Sequence, residues 1–289
     1  MDPRCFSCPR ACGANRREQP GVCGVGASLR VARAALHFDE EPVISGTHGS
    51  GAVFFSGCSL GCVFCQNYEI SSLCKGKDVT PERLKEIFAE LKAQGAHNLN
   101  LVTPSHYTLL LAPFLENAHL PVVWNSSAYE TVDSLRLLEG KVSVFLPDFK
   151  FGLREPAIKY ANAADYPARA EEAISEMFRQ TGPYRIENGL LTRGVLVRHL
   201  ILPGNTENSI AVLQKLAARF RKGDILISLM SQYTPCRPLR FDELNRRLTR
   251  AEYLSVRNSM LRLGLTEGFV QDLSSASASY TPAFDLTGV

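Results

Sequence analysis

The chain has no apolar run near the roughly 20 residues needed to span a bilayer. Its opening stretch, MDPRCFSCPRACGANRREQP, is polar and has no apolar h-region of the kind a signal peptide carries. Neither a membrane span nor export is expected, and the expected location is the cytoplasm. Charge of one sign is scarce too: 32 Lys and Arg against 29 Asp and Glu leave +3 over 289 residues. That balance supplies no separate argument for a nucleic acid or a membrane surface as partner. There is no low-complexity tract and no internal sequence repeat. At 45% hydrophobic and 21% charged residues the composition is that of a globular protein. The length accommodates one large domain, or one domain with a small appendage.

Cysteine is what the chain has in quantity. The count is nine, which is odd, and without an export signal the thiols read as metal ligands rather than disulfides. Cys5, Cys8, Cys12 and Cys23 fall in the first 23 residues, Cys58, Cys62 and Cys65 form a triplet, and Cys74 and Cys236 stand alone. The glycine-rich GTHGSG at 46–51 separates these sets. The expected organisation is a cysteine-rich, metal-binding extension over 1–45 and a core domain over 46–289.

The triplet lies in FFSGCSLGCVFCQN with spacing C-x3-C-x2-C. Three thiolates cannot complete a four-thiolate zinc or iron–sulfur site. A [4Fe–4S] cube held by three cysteines keeps one iron without a protein thiolate, and that iron is open to a reactant. The competing readings are a zinc site completed by a distant ligand and chance spacing of buried thiols. Zinc sites usually present C-x2-C pairs in twos, and here one pair stands beside an offset cysteine. Gly57 and Gly61 suit a loop wrapped closely round a bulky group.

From residue 51 onward, short apolar runs alternate with helical patterns. Strands are expected over 52–55, 99–102, 121–124, 142–146, 195–202 and 225–230. Helices are expected after the Thr80-Pro81 start, over 108–115, 131–138 and 168–180, after a Thr206 cap, and over 251–263. Six such units argue for a parallel sheet buried on both faces, either open and doubly wound or a barrel short of the usual eight units. Polar segments follow each apolar run: SGC, TPSH, NSS, PDFK, PGN and SQYTPC. Ligands of parallel α/β folds bind at the carboxyl ends of the strands, so these loops predict a shared pocket with the triplet in its first loop.

GCSLGCVFCQN, with an aromatic Phe64 before the third cysteine, resembles the cluster loop of the radical S-adenosylmethionine (SAM) superfamily. More narrowly, CPRACGANR, FFSGCSLGCVFCQN, LVTPSHY, LPDFKF, VRHLILPG and SQYTPC resemble proteins like the pyruvate formate-lyase activating enzyme, over nearly the whole chain. The expected fold is a partial (β/α)6 TIM-type barrel with a small N-terminal cysteine-rich extension. The resemblance implies a [4Fe–4S] cluster on Cys58, Cys62 and Cys65. It also implies that SAM chelates the open iron through its amino and carboxylate groups. One electron would cleave the sulfonium bond to methionine and a 5′-deoxyadenosyl radical, which would take a hydrogen from the substrate. A flavodoxin or ferredoxin is the implied electron donor.

The same resemblance makes Asp148 and Lys150 of LPDFKF candidate SAM contacts, the alternative being that they only pair with each other. Arg198 of VRHLILPG is a candidate for the SAM carboxylate, which its fork suits. Its neighbour His199 faces the other way as a packed residue. Asn125 and Ser126 are candidates for the ribose. Activating enzymes carry Gly-Gly-Glu after the second strand, where this chain has Thr103-Pro104-Ser105-His106. The SAM amino group would then need a backbone carbonyl or a hydroxyl such as that of Thr103.

The N-terminal C-x2-C-x3-C-x10-C is enough for a complete four-thiolate site, either a second [4Fe–4S] cluster acting as an electron conduit or a structural zinc knuckle. Arg16 and Arg17 read as solvated charge and Cys74 as an ordinary thiol. Cys236 reads foremost as a buried inert thiol, with a radical-relay or ligand role behind it. Gln232 and Tyr233 are candidate pocket residues. Three functions follow: activation of a glycyl-radical enzyme, radical chemistry on a small molecule or in cofactor assembly, and non-enzymatic metal or nucleic-acid binding. Near-neutral charge counts against the last.

Overall fold

The computed structural model describes residues 4–116, 118–275 and 281–289. In chain order its elements begin with β1 (Leu29–His37), α1 (Pro42–Ser45), β2 (Ser50–Phe55), α2 (Tyr68–Ser71), β3 (Lys77–Val79) and α3 (Pro81–Ala93). Then come β4 (Leu99–Val102), α4 (Thr108–Leu115), β5 (Val122–Ser126), α5 (Val132–Arg136), β6 (Val144–Pro147), α6 (Arg154–Ala161) and α7 (Tyr166–Thr181). The chain ends with β7 (Arg185–Glu187), β8 (Leu190–Leu200), α8 (Thr206–Arg219), β9 (Leu226–Met230), α9 (Arg250–Arg262) and β10 (Gly268–Val270).

The six apolar runs become β2, β4, β5, β6, β8 and β9, which pair in that order and all in parallel. Each strand lies beside the one before it, so the winding never reverses. That is the succession of a barrel, and it excludes the doubly wound alternative, whose strand order turns back at a switch point. The sheet does not close: β10 forms one edge, and the antiparallel β1 and β3 form the other. β1 belongs to the same sheet although it precedes the glycine-rich stretch.

Local chemistry explains the helix starts. The Thr80 hydroxyl accepts from the Arg83 N–H with Pro81 at the first helical position, and Thr249 and Glu252 form a reciprocal capping box. Thr206 does not cap α8; Asn205 precedes it, with its side-chain amide turned to the Pro203 carbonyl. β7 and β8 form a hairpin across Asn188-Gly189, both at positive φ, which is the chemistry of a type I′ turn. No helix among the described residues is long and apolar enough to cross a membrane.

Side chains alternate along each strand. One face meets the helices, where Leu84, Ile87, Leu111, Ile174, Leu213 and Val256 are buried. Burying each such side chain contributes roughly 1.5–3 kcal/mol. The inner face begins as an apolar floor of Val123, Val144, Leu146, Leu196 and Leu226, plugged by Ile44 of α1. Two residues further on, the same face carries Asn125, Asp148 and Arg198. The period of the strand therefore converts floor into polar site at the carboxyl ends.

Candidate functional site

One cavity lies at those carboxyl ends. Its walls include Cys58, Cys62 and Cys65 together with Thr103, Asn125, Ser126, Asp148, Lys150 and Arg198. Nine residues chosen from five separate segments thus meet in one place.

The cysteine loop leaves β2 through Gly57, at φ +85°, where an added Cβ would stand 2.7 Å from the Cys23 carbonyl oxygen. Only glycine fits this close approach without strain. The Leu60 N–H points at Cys58 Sγ (3.4 Å) and the Ser71 hydroxyl donates to Cys65 Sγ (3.3 Å). Burial pushes the Cys62 and Cys65 thiols up, against the pull of the nearby Lys150 charge and, for Cys65, of Ser71. Phe64 is buried against the rings of Phe151, Tyr160 and Tyr233 at 6.1–6.4 Å. Among the described residues no three Cys, His, Asp or Glu side chains are grouped as a single metal ion requires. Three thiols around one cavity are the donor set of a three-cysteine cube and one short of the four that a structural zinc takes.

Opposite the thiols stands a charge array. Arg198 donates from Nε to Asp148 Oδ1 (2.7 Å), from Nη1 to Glu40 Oε2 (2.6 Å) and from Nη2 to Asn125 Oδ1 (2.7 Å). Lys150 Nζ holds the other Asp148 oxygen at 2.7 Å. Asn100 and Asn125 both donate to Glu40 Oε1. Burial works to raise the Asp148 carboxyl, but Arg198 and Lys150 overcome it and hold it below the usual carboxylate range. Lys150 is raised in turn: burial works against its charge, and Asp148 more than offsets it. Asp148 and Lys150 do pair, and both still face the cavity.

The other polar candidates divide. Thr103 holds φ +59°, a genuine outlier for a β-branched residue, and its hydroxyl has no protein partner among the described residues. Ser126 also lines the cavity, but its hydroxyl donates to the buried Glu130 (2.7 Å), which takes the Trp124 indole N–H as well. Gln232 reaches the cavity, whereas Tyr233 is buried in the core with its hydroxyl on the Leu244 carbonyl.

Two expectations are corrected. Cys236 is exposed rather than buried, because SQYTPC lies over the cysteine loop; its Sγ meets the Cys65 carbonyl at 3.5 Å. Arg237 beside it donates to the Val63 carbonyl (2.6 Å) and covers the Tyr68 ring at 3.7 Å. Arg16 is not solvated surface charge: its Nη1 donates to the His106 carbonyl, its guanidinium lies over Tyr107, and Nε and Nη2 are buried.

The sequence reading missed Glu40. It lies in the acidic run Asp39-Glu40-Glu41, whose composition reads as solvated charge; only its place after β1, beside the strand ends, makes it part of the site. Arg10 was missed as well. Its guanidinium ties the Ser59, Leu60 and Ala161 carbonyls together at 2.7–3.0 Å.

Two buried histidines support the site from behind. His106 Nε2 donates to the Ser56 carbonyl, just ahead of the cysteine loop, and burial lowers its pKa to about 3. His199 donates from Nδ1 to the Phe149 carbonyl and accepts from Ser209 at Nε2; burial lowers it to about 4. His199 is thus the packed residue its strand position predicts. Both rings stay neutral in the folded protein and take up a proton on unfolding below pH 6.5. Their contribution to stability is whole above about pH 6.5 and is lost as the pH falls toward their folded values. Urea unfolding should show a loss of about 3 kcal/mol for the pair between pH 6.5 and 5. His106→Asn should remove about half of that slope; an unchanged slope would refute the assignment.

A family model described as "4Fe-4S single cluster domain" matches residues 45–130, the segment that holds the triplet. The uncharacterized protein MJ0674 of Methanocaldococcus jannaschii is 30% identical over 264 residues, 86% of this chain and 71% of the archaeal protein. The chain belongs to the MJ0674 family. Among solved structures, Streptococcus suis SuiB superposes with a TM-score of 0.50 at 10% identity, over 78% of this chain and 50% of SuiB. The chain therefore spans about half the length of SuiB. QueE from Escherichia coli superposes with a TM-score of 0.47 at 12% identity, over 84% of this chain and 94% of QueE. The fold of this MJ0674 family member is an open, partial barrel, and it is shared with SuiB.

Proposed function

We propose that the protein is a radical SAM enzyme. It would cleave SAM reductively at a cluster on Cys58, Cys62 and Cys65 and abstract a hydrogen atom from a substrate. The observation that carries the reading is the placement of the three thiols at the end of the first parallel strand, across one cavity from Asp148, Lys150 and Arg198. A [4Fe–4S] cluster supplies the electron for sulfonium cleavage and an open iron for the amino acid end of SAM.

The rest is work for the chain. Arg198 keeps two N–H groups beyond its three protein bonds, and Lys150 keeps two beyond Asp148, so both have donors for a carboxylate. The Thr103 hydroxyl is the donor or acceptor in the place where Gly-Gly-Glu is absent. Asn125, and Ser126 from its backbone, face the ribose end. Phe64 and Leu60, both buried, keep water from the thiol side, where it would compete with SAM as a ligand.

The substrate reading is a glycyl-radical enzyme. It rests on the sheet being unclosed, the gap between its two edges being the route that a polypeptide loop would take. An electron donor of the flavodoxin or ferredoxin class and a reducing, cytoplasmic setting complete the proposal. The test mixes reduced protein and SAM with candidate glycyl-radical enzymes and, separately, with deuterated metabolites. A glycyl EPR doublet is the expected result. Deuterium appearing in 5′-deoxyadenosine from a metabolite, with no doublet, would replace the protein substrate by a small molecule.

A further inference from the structure

The N-terminal thiols sit outside the cavity but directly behind its cysteine loop. Cys8 and Cys23 are buried, and Cys5 and Cys12 are half-buried. The Sγ atoms of Cys12 and Cys23 each lie 3.4 Å from the point where a Cβ on Gly21 would stand, so residue 21 leaves the space between them open. Backbone bonds from Cys5 N–H to the Ala14 carbonyl and from Gly13 N–H to the Cys5 carbonyl fold the segment into one knuckle.

The Arg16 guanidinium acts on Cys12 and Cys23, while its Nε and Nη2 are buried without a partner. A buried cation with two idle donors beside thiols is costly unless an anionic group meets it. An iron–sulfur cluster on four thiolates is such a group, and its sulfur atoms accept N–H bonds.

The knuckle is also joined to the other cysteine loop. The Cys58 N–H donates to the Cys23 carbonyl at 3.1 Å, so a ligand of one set is bonded through the backbone to a ligand of the other. Cys74 Sγ lies 4.0 Å from that same carbonyl.

We propose that Cys5, Cys8, Cys12 and Cys23 hold a second, fully thiolate-ligated [4Fe–4S] cluster that is the electron entry point for the Cys58/Cys62/Cys65 cluster. A one-electron donor of the flavodoxin or ferredoxin class reduces the N-terminal cluster. That cluster returns to its oxidised state as the same electron passes across the Cys23–Cys58 contact; no bond breaks and no proton moves. A single zinc on the same four thiolates is the alternative that the metal count decides. The electron-entry role rests on the radical SAM reading, whereas the site itself does not.

The experiment is anaerobic reconstitution of the full chain with iron and sulfide, with counting of iron and zinc and EPR of the reduced protein. About eight irons are expected in the wild type and about four in Cys58→Ala/Cys62→Ala/Cys65→Ala. The signal of that triple variant should be indifferent to SAM. Cys5→Ala/Cys8→Ala should keep about four irons and a signal that shifts with SAM. An iron-free triple variant, or a wild type with about four irons and one zinc, would overturn the site. A triple variant that holds its four irons beside a wild type inert toward SAM would leave the site standing and refute the enzyme reading instead.

Discussion

Replacing Cys62 by Ala should abolish SAM cleavage. Formation of 5′-deoxyadenosine is expected to fall by about 10³-fold or more, to the level of protein without iron. The expectation follows from burial and count. Cys62 is the most deeply buried thiol of the triplet, and a three-cysteine cube has no spare protein ligand to take its place. Lys150, whose charge acts on Cys62, cannot substitute, because an ammonium has no lone pair to offer a metal. Cys236→Ala is the matched control. Cys236 is exposed and its hydrogen bond to the loop goes to the Cys65 carbonyl and not to a thiol, so cleavage should change by less than about threefold. Wild-type turnover in Cys62→Ala would remove the triplet from the chemistry.

Arg198→Ala should destabilise the whole domain. The guanidinium holds Asp148, Glu40 and Asn125 together across β8, β6 and β5, and the Glu40 carboxylate reaches on to Asn100 of β4. Its side chain is 13% exposed and that of Glu40 is 8% exposed, so water cannot take over when the cation goes. Breaking a buried pair by removing one partner costs about 3–5 kcal/mol, since the remaining charge is left desolvated. A fall in the thermal midpoint of about 10 °C is expected for a domain of this size. Arg198→Lys should recover only part of it, because an ammonium cannot fork to three acceptors in one plane. A midpoint within about 2 °C of wild type would show that the array is not a structural centre.

The six strand–helix units were legible because their apolar runs are uninterrupted and their helices carry punctuation: Thr80-Pro81, Thr131, Gly95. β1 was not, since LRVARAALH is rich in Ala and Arg, both good helix formers, and only pairing with β2 makes it a strand. The β7–β8 hairpin had a signal in Asn188-Gly189 that the apolar-run reading passed over. The cavity residues were legible where motifs end strands. Glu40, Arg10 and Arg16 were not, because a charge that reads as solvated in sequence joins the site or its supports only when long-range folding brings it there. Nor could sequence spacing show that the Cys23 carbonyl meets the Cys58 amide.

The central claim is tested most directly by incubating the anaerobically reconstituted, reduced protein with SAM and separating the products by chromatography. The account predicts methionine and 5′-deoxyadenosine in equal amounts, dependent on reductant. Protein with its full complement of iron that returns SAM intact would contradict it.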